Sequence, residues 1–558
     1  MSRCQFAVLG LVLLSAGPLP AAEPPAELLA EAAALRDSAL VEADAWRHAR
    51  SLTTEVGPRP AGSAGDRAAV AWALANLADL GFDEIRPQPV IVPAWVRGRA
   101  EARITQPFPQ QLAVVALGRT IGTAEEGIEA PVVRFESLAA LEAATPEDVR
   151  GHIVFIDERM ERARDGSGYG AAVTKRRDGP SVASERGAVA VVIRSVGTSD
   201  DRLPHTGGTL FADGVRPIPA FALSGPDADM LARQVDSRRG VQMVLSSTAR
   251  SLPPARSANV IADIRGATRP EEIVILAAHL DSWDLGTGAV DNASGVAILM
   301  EAASLIARMQ RRPARTIRLV LYANEEAGLD GSKTYTAAAL ESDERHVVGI
   351  EADAGAGLIY ELNSGVGEAA LPVVEAMRGV LEPLGIGGGN NSSTGGADLS
   401  TLRAKGMPVL SLQQDMSAYF DWHHTANDTL DKIDPEALKQ AVAAYAAIIW
   451  IAANIEDDFG AFPADPPPPP DPGDSSDCRV GPWGNGHGSG PASLRPPGAS
   501  PRARRRRRPR AHRPPRPAGV ASCARPDGRD TGPARGASWR TGARPRPAAA
   551  RCIRRTWP

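Results

Sequence analysis

Apolar and polar positions change rhythm three times along this chain. Over residues 24–46, and again in "AGDRAAVAWALANLADLGFD", apolar residues recur at helical spacing among good helix formers, which predicts two amphipathic helices, the second stopping at Gly81. Strand-like runs follow in "PVIVPAWV" and "ARITQP". From about Ala130, short β-rich runs ("PVVRF", "GHIVFID", "GAVAVVIR", "IPAFALS") alternate with Gly, Pro and charged loops around one helix, "GPDADMLARQV". This predicts a compact β-rich insertion over residues 125–250. After it the rhythm becomes strand, helix, strand: "EEIVILAAHLD", "SGVAILMEAASLIARMQ", "TIRLVLYANEE", then "HVVGIEADAG" and "GMPVLSLQ". Alternation of this kind predicts an α/β fold, a mixed and largely parallel sheet with helices on both faces, assembled from residues 23–124 and 251–457. A last helix runs from Pro435 to about Ile455 behind a capping Asp434. Over 458–558 the periodicity stops, first in "PADPPPPPDPGDSSD" and then in Pro-, Gly- and Arg-rich sequence.

One strand breaks the expected pattern at its end. The run "IVILAA", Ile273 to Ala278, reads as a strand buried on both faces, yet it delivers His279, Asp281, Asp284 and Asp291 within a few residues. Three later strands also end in acid or imidazole: Glu325 and Glu326, then Asp353, then His423 and His424. In open α/β sheets the strand ends share one edge, so these side chains converge. Clustered carboxylates repel and resist desolvation, and oxygen with imidazole donors suits zinc.

Composition narrows the donors and the setting. The four cysteines are Cys4, Cys478, Cys523 and Cys552, so residues 23–477 contain no disulfide and no thiolate metal site. Arg3, an apolar run from Phe6 to Leu14 and small residues up to Ala22 form a secretory signal pattern over 1–22, too short to span a bilayer; this predicts an exported, periplasmic or secreted protein without a transmembrane segment. Charge divides the chain. From Cys478 onward there are 20 Arg, no Lys and 2 acids, leaving 42 bases against 64 acids before it. Arg, Pro, Gly and Ala without Lys, starting abruptly after a finished pattern, is what an out-of-frame reading of a GC-rich gene yields. The tail is therefore read as non-functional, with no nucleic-acid partner.

Taken together, "AHLDSWDLGTGAVDNASG", "EEAG", "ADAG", "YFDWHHTANDTLDKIDP" and, near the start, "EVGPRPAGS" resemble the co-catalytic dizinc aminopeptidase family in its carboxypeptidase Q branch, over roughly residues 30–457. The resemblance implies the zinc exopeptidase fold and two zinc ions per chain. It implies that His279 and Asp353 hold one zinc, that Glu326 and His424 hold the other, and that Asp291 bridges them. Asp281 matches the carboxylate that orients a ligating imidazole, and Glu325 the general base. In this family the bond after the bridging aspartate, here Asp291–Asn292, is often cis. His424 is preferred to His423 as a ligand because it immediately precedes Thr425 in the family spacing, which leaves His423 to contact substrate. Asp284 and Asp398 are read as structural. Asn292 and Asn427 begin N-x-S/T triplets inside the site motifs, where glycosylation is not expected. The insertion resembles a protease-associated domain through "EDVRGHIVFIDE", "ASERGAVAVVI" and "PIPAFALS". The expected activity is hydrolysis of dipeptides or short peptides with a free amino terminus. The alternatives are a carboxypeptidase, a glutaminyl cyclase-like transferase using one zinc, and a receptor-like protein that has lost ligands. The resemblance also implies a homodimer.

Overall fold

The computed structural model describes residues 23–461; the expected signal segment, the tail from residue 462 and all four cysteines lie outside them. Seven strands form one mixed sheet: β1 (Glu84–Val96), β2 (Arg250–Ile264), β3 (Arg269–His279), β4 (Arg315–Tyr322), β5 (Arg345–Glu351), β6 (Ile359–Gly365) and β7 (Val409–Gln414). Their spatial order is β1-β2-β4-β3-β5-β7-β6. The centre, β4-β3-β5-β7, is parallel. The outer strands pair antiparallel on both sides.

The apolar run in β3 is continuous because both of its faces are covered. Val274, Leu276 and Ala278 enter the main core, while Ile273, Ile275 and Ala277 enter a second core on the opposite face with Tyr322, Tyr335 and Leu402. On the main-core side, helix Pro435–Asn454 packs between helices Ala26–Glu42 and Ser294–Ala307. Its first turn is fixed by the Asp434 side chain, which accepts from Glu436 N at 3.0 Å. Two segments, Ala289–Ala307 and Pro435–Asn454, are long and apolar enough to cross a membrane; both are buried in this core.

A second, eight-stranded sheet is built from Ala100–Gln106, Gln110–Leu112, Val114–Ala116, Ile128–Phe135, Ile153–Ile156, Ala190–Arg194, Ala220–Leu223 and Gln242–Ser247. The expected limits of 125–250 leave out its first three strands. Only Arg97 to Arg99 separate β1 from Ala100–Gln106, and alternation along a strand does not tell which sheet the strand joins. The strand β6, "IYELNSG", carries no clear period because its outer half is partly exposed and its only strand neighbour among the described residues is β7.

Candidate metal centre

The parallel strands end together, and their last residues meet. His279 closes β3, Glu325 and Glu326 follow β4 by three and four residues, Asp353 follows β5 by two, and His423 and His424 come from the segment after β7. Asp291 stands just before helix Ser294–Ala307, and its peptide bond to Asn292 is cis. The two oxygens of Asp291 face different partners. Oδ1 lies 3.0 Å from His279 Nε2, which is itself 3.3 Å from Asp353 Oδ1. Oδ2 lies 3.2 Å from His424 Nε2, which is 2.9 Å from Glu326 Oε2. His423 Nε2 is 3.4 Å from the same Oδ2.

The imidazoles are oriented for ligation. His279 Nδ1 lies 3.0 Å from the main-chain carbonyl of Asp281, and His424 Nδ1 lies 3.3 Å from that of Thr206. A carbonyl only accepts, so the proton of a neutral His279 ring sits on Nδ1 and its Nε2 lone pair faces the carboxylates. Glu326 Oε1 and Asp353 Oδ1 are buried without a hydrogen-bond donor. Acids this close need protons or cations to offset their repulsion. Burial, opposed by His279 and reinforced by Asp353, pushes Glu325 well above the usual carboxylate range. Burial and Asp291 raise Glu326. Burial opposes ionisation of Asp291 too, but His279 and His424 hold it well below that range. Despite burial, Glu326 and Asp291 push His424 up to about 10. Divalent cations would take the place of these protons, so the donor set fits zinc.

Around these groups the chain holds the loops in place. Asp281 Oδ1 accepts from Glu325 N at 3.0 Å and lies 3.6 Å from His279 Nδ1, so this carboxylate ties Glu325 to the imidazole, although the closer contact to the ring is Asp281's own carbonyl. Asn324 at φ +60° and His424 at φ +62° occupy the left-handed region, a strain of about 1–3 kcal/mol each that surrounding contacts must hold. For His424 those contacts come from the loop between strands Ala190–Arg194 and Ala220–Leu223 of the second sheet: Thr206 N donates to the His424 carbonyl at 2.9 Å, and His205 Nδ1 donates to that of His423 at 2.7 Å.

Two further residues shape the site and were given no role from sequence. Arg59, fully buried in "EVGPRPAGS", donates to the carbonyls of Leu280, Thr287 and Gly288 at 2.6–2.8 Å and so folds the loop that carries Asp281 and Asp291. Asp428, inside "HHTANDT", accepts from Ala289 N and Val290 N, both at 2.7 Å. Their motifs were the available signal. Of the acids read as structural, Asp284 is paired with Arg97 at 3.0 Å. Asp398 is buried, and neither of its carboxylate oxygens has a hydrogen-bond partner. Asn292 is fully buried, donating to the Ala352 carbonyl at 2.9 Å, which rules out a glycan there.

The sequence profile of "Peptidase family M28" matches residues 259–449, the stretch that carries every candidate ligand. Carboxypeptidase Q of Bos taurus is 34% identical over 406 residues, covering 73% of this chain and 84% of the relative. The chain belongs to peptidase family M28. Among solved structures, a peptidase M28 precursor from Shewanella amazonensis SB2B is similar at 47% identity and a TM-score of 0.76, over 79% of this chain and 99% of that one. A zinc aminopeptidase of Bacillus subtilis shares the fold, with 22% identity and a TM-score of 0.54 over 74% and 95%. This M28 chain is thus a metallopeptidase whose mixed α/β fold is that of its family.

Proposed function

We propose that this chain is an exported dizinc exopeptidase that hydrolyses dipeptides or short peptides with a free amino terminus. The observation that carries the reading is the division of Asp291: one buried carboxylate presents Oδ1 to His279 and Asp353 and Oδ2 to His424 and Glu326. His279 and Asp353 would hold one zinc, Glu326 and His424 the other, with Asp291 between them. Zinc, when bound, supplies Lewis acidity for the scissile carbonyl and brings the pKa of water toward ~7. Glu325 takes a proton from the attacking water as the new C–O bond forms, and returns it to the amine nitrogen as the C–N bond breaks. Asp281 keeps the base and the His279 ring in register. The second sheet, in this reading a protease-associated insertion, supports the His423–His424 segment.

A carboxypeptidase reading is kept because the bovine relative bears that name. Chelation should abolish hydrolysis, and added zinc should restore it with about two ions per chain. Full activity with one ion would sink the bridged pair. Faster cleavage of amino-blocked than of free dipeptides would sink the amino-terminal assignment.

A further inference from the structure

Four strands of the second sheet, Ile128–Phe135, Ile153–Ile156, Ala190–Arg194 and Ala220–Leu223, run parallel, and a cleft of about 320 Å³ opens among the residues that follow them. The crevice outside the carboxyl ends of the strands is where open α/β sheets receive ligands. None of the candidate zinc ligands lines this one. Its arginines are committed to unequal degrees. Arg194, 5% exposed, is held between Asp157 at 2.5 Å and Asp229 at 2.7 Å, and Arg162 grips Asp421 at 2.6 and 2.9 Å. Arg159 is exposed, touches only Asp229 among the described residues, through one terminal nitrogen, and keeps its other donors open. Three acceptors are open as well. Glu161 and Asp200 are exposed and form no ion pair with a described residue. The third acceptor is buried: His205, 2% exposed, donates through Nδ1 to the His423 carbonyl at 2.7 Å, which leaves the lone pair of the neutral ring on Nε2, and no described residue fills it. Burial holds the pKa of this imidazole down to about 4, so it stays an acceptor at neutral pH. A β-carbon at Gly197 would lie 2.2 Å from the ring, so a side chain there would displace it.

Two carboxylates and an imidazole are also a metal donor set, but the described residues bring three such donor atoms within 4.8 Å of one another only around Asp291. The acceptors of the cleft are therefore spaced for an organic ligand. A buried polar atom without a partner is costly, so the ligand should donate to these acceptors from a positive group and answer Arg159 with a negative one. The head of helix Gly225–Asp236 lines the cleft too and favours the same negative group. A volume of about 320 Å³ is near the lower limit of the ~300–1,000 Å³ of small-molecule sites, and buried Met160 with Pro226 adds an apolar wall. We infer that this cleft binds a free α-amino acid with an apolar side chain, its ammonium on Glu161, Asp200 and His205 Nε2 and its carboxylate on Arg159 and the helix head. The site is separate from the metal centre but joined to it. Thr198 N donates to the Phe420 carbonyl at 3.0 Å and Thr198 Oγ1 to Asp421 at 2.8 Å, just before His423. An exopeptidase of the kind proposed above releases this class of ligand, but binding here does not depend on that activity.

The test is calorimetry on the zinc-loaded full chain in excess acetohydroxamate, which occupies zinc and carries neither charge of an amino acid. L-Leucine should bind at one per chain. L-Leucinamide lacks the carboxylate and N-acetyl-L-leucine the ammonium, so each should bind at least ~10-fold more weakly, the scale of one lost charged hydrogen bond. The double variant Glu161→Gln, Asp200→Asn and the single variant Arg159→Gln, all at exposed positions, should weaken leucine by a similar factor. Hydrogen exchange over residues 197–205 should slow when leucine is added. A chain that ignores leucine would overturn the inference. So would undiminished binding in the variants, which would put the leucine elsewhere. Leucinamide bound as tightly as leucine would remove the carboxylate from the recognition, and N-acetyl-leucine bound as tightly would remove the ammonium; either result overturns the amino-acid assignment. Because no substrate is turned over, these outcomes leave the exopeptidase reading to its own test.

Discussion

Buried acids are neutralised in opposite ways in the second sheet and at the ends of the parallel strands of the first. In the second sheet each has an arginine: Asp157 lies 2.7 Å from Arg134 and 2.5 Å from Arg194, and Asp227 lies 3.0 Å from Arg202. At the end of the parallel strands, Asp281, Asp291, Glu325, Glu326 and Asp353 face one another and the rings of His279, His423 and His424. Arg59 is close by, but its donors go to main-chain carbonyls. An arginine fork fills the lone pairs of the acid it meets, and that acid can no longer ligate. Histidine occupies one lone pair and can give way to a cation. The surplus of acid over fixed base at one sheet end is therefore a capacity for divalent metal, and the paired acids of the other sheet serve packing.

The comparison breaks most visibly at the adjacent glutamates, which share a chemistry but to which the proposed function gives different roles. Glu325→Gln keeps size and hydrogen bonding but cannot accept a proton, so it should retain its zinc and lose at least ~10²-fold in turnover. Glu326→Gln removes the proposed anionic ligand facing His424, so it should lose zinc from one site and regain part of its activity in excess zinc. Counting zinc in each purified variant, and measuring rates with and without added metal, separates the two roles. Zinc lost from Glu325→Gln but kept by Glu326→Gln would reverse the assignment.

Asp157 is the matching test in the second sheet. Asp157→Ala strips Arg194 of one of its two acids and leaves Arg134 with Asp236 alone, and breaking a buried pair costs about 3 kcal/mol. The melting temperature should fall while the zinc content of the folded protein stays unchanged. Loss of zinc without loss of stability would mean that charge in the second sheet reaches the centre after all.

What could be read in the sequence followed the same division. His279, Asp353, Glu325 and Glu326 stood out because an apolar strand that ends in a charge is anomalous by itself. Arg59 and Asp428 act through main-chain groups of loops distant in sequence, and neither interrupts a period. The hold of His205 and Thr206 on the His423–His424 segment spans 218 residues, beyond what spacing can register. Sheet membership was equally hidden: Ala100–Gln106 alternates like any half-buried strand, and only its pairing with Gln242–Ser247 places it in the second sheet. Asp291 was legible as a candidate ligand through its motif, whereas the opposite facing of its two oxygens needed the fold.

The smallest effect belongs to a pair inside the first sheet's own core, where an acid is balanced by one imidazole and no metal is needed. Glu301, in helix Ser294–Ala307, lies 3.3 Å from His48 Nε2, both side chains almost fully buried, with Arg308 at 3.6 Å. Burial alone would raise the Glu301 carboxyl, but the contact with His48 outweighs it and holds the group below its ordinary value of 4.5. An acid with a depressed folded pKa stabilises the fold above its unfolded pKa, and that contribution is lost as pH falls through the folded value. Melting temperatures of the zinc-loaded wild type and of Glu301→Gln should thus differ by about 1 kcal/mol near neutrality, on the order of 2 °C, and converge as the pH falls below the group's ordinary value of 4.5 and through its lowered folded value. A gap that widens on acidification would mean that Glu301 is protonated in the fold. The one-to-one pairing that sets this core apart from the metal centre would then be lost.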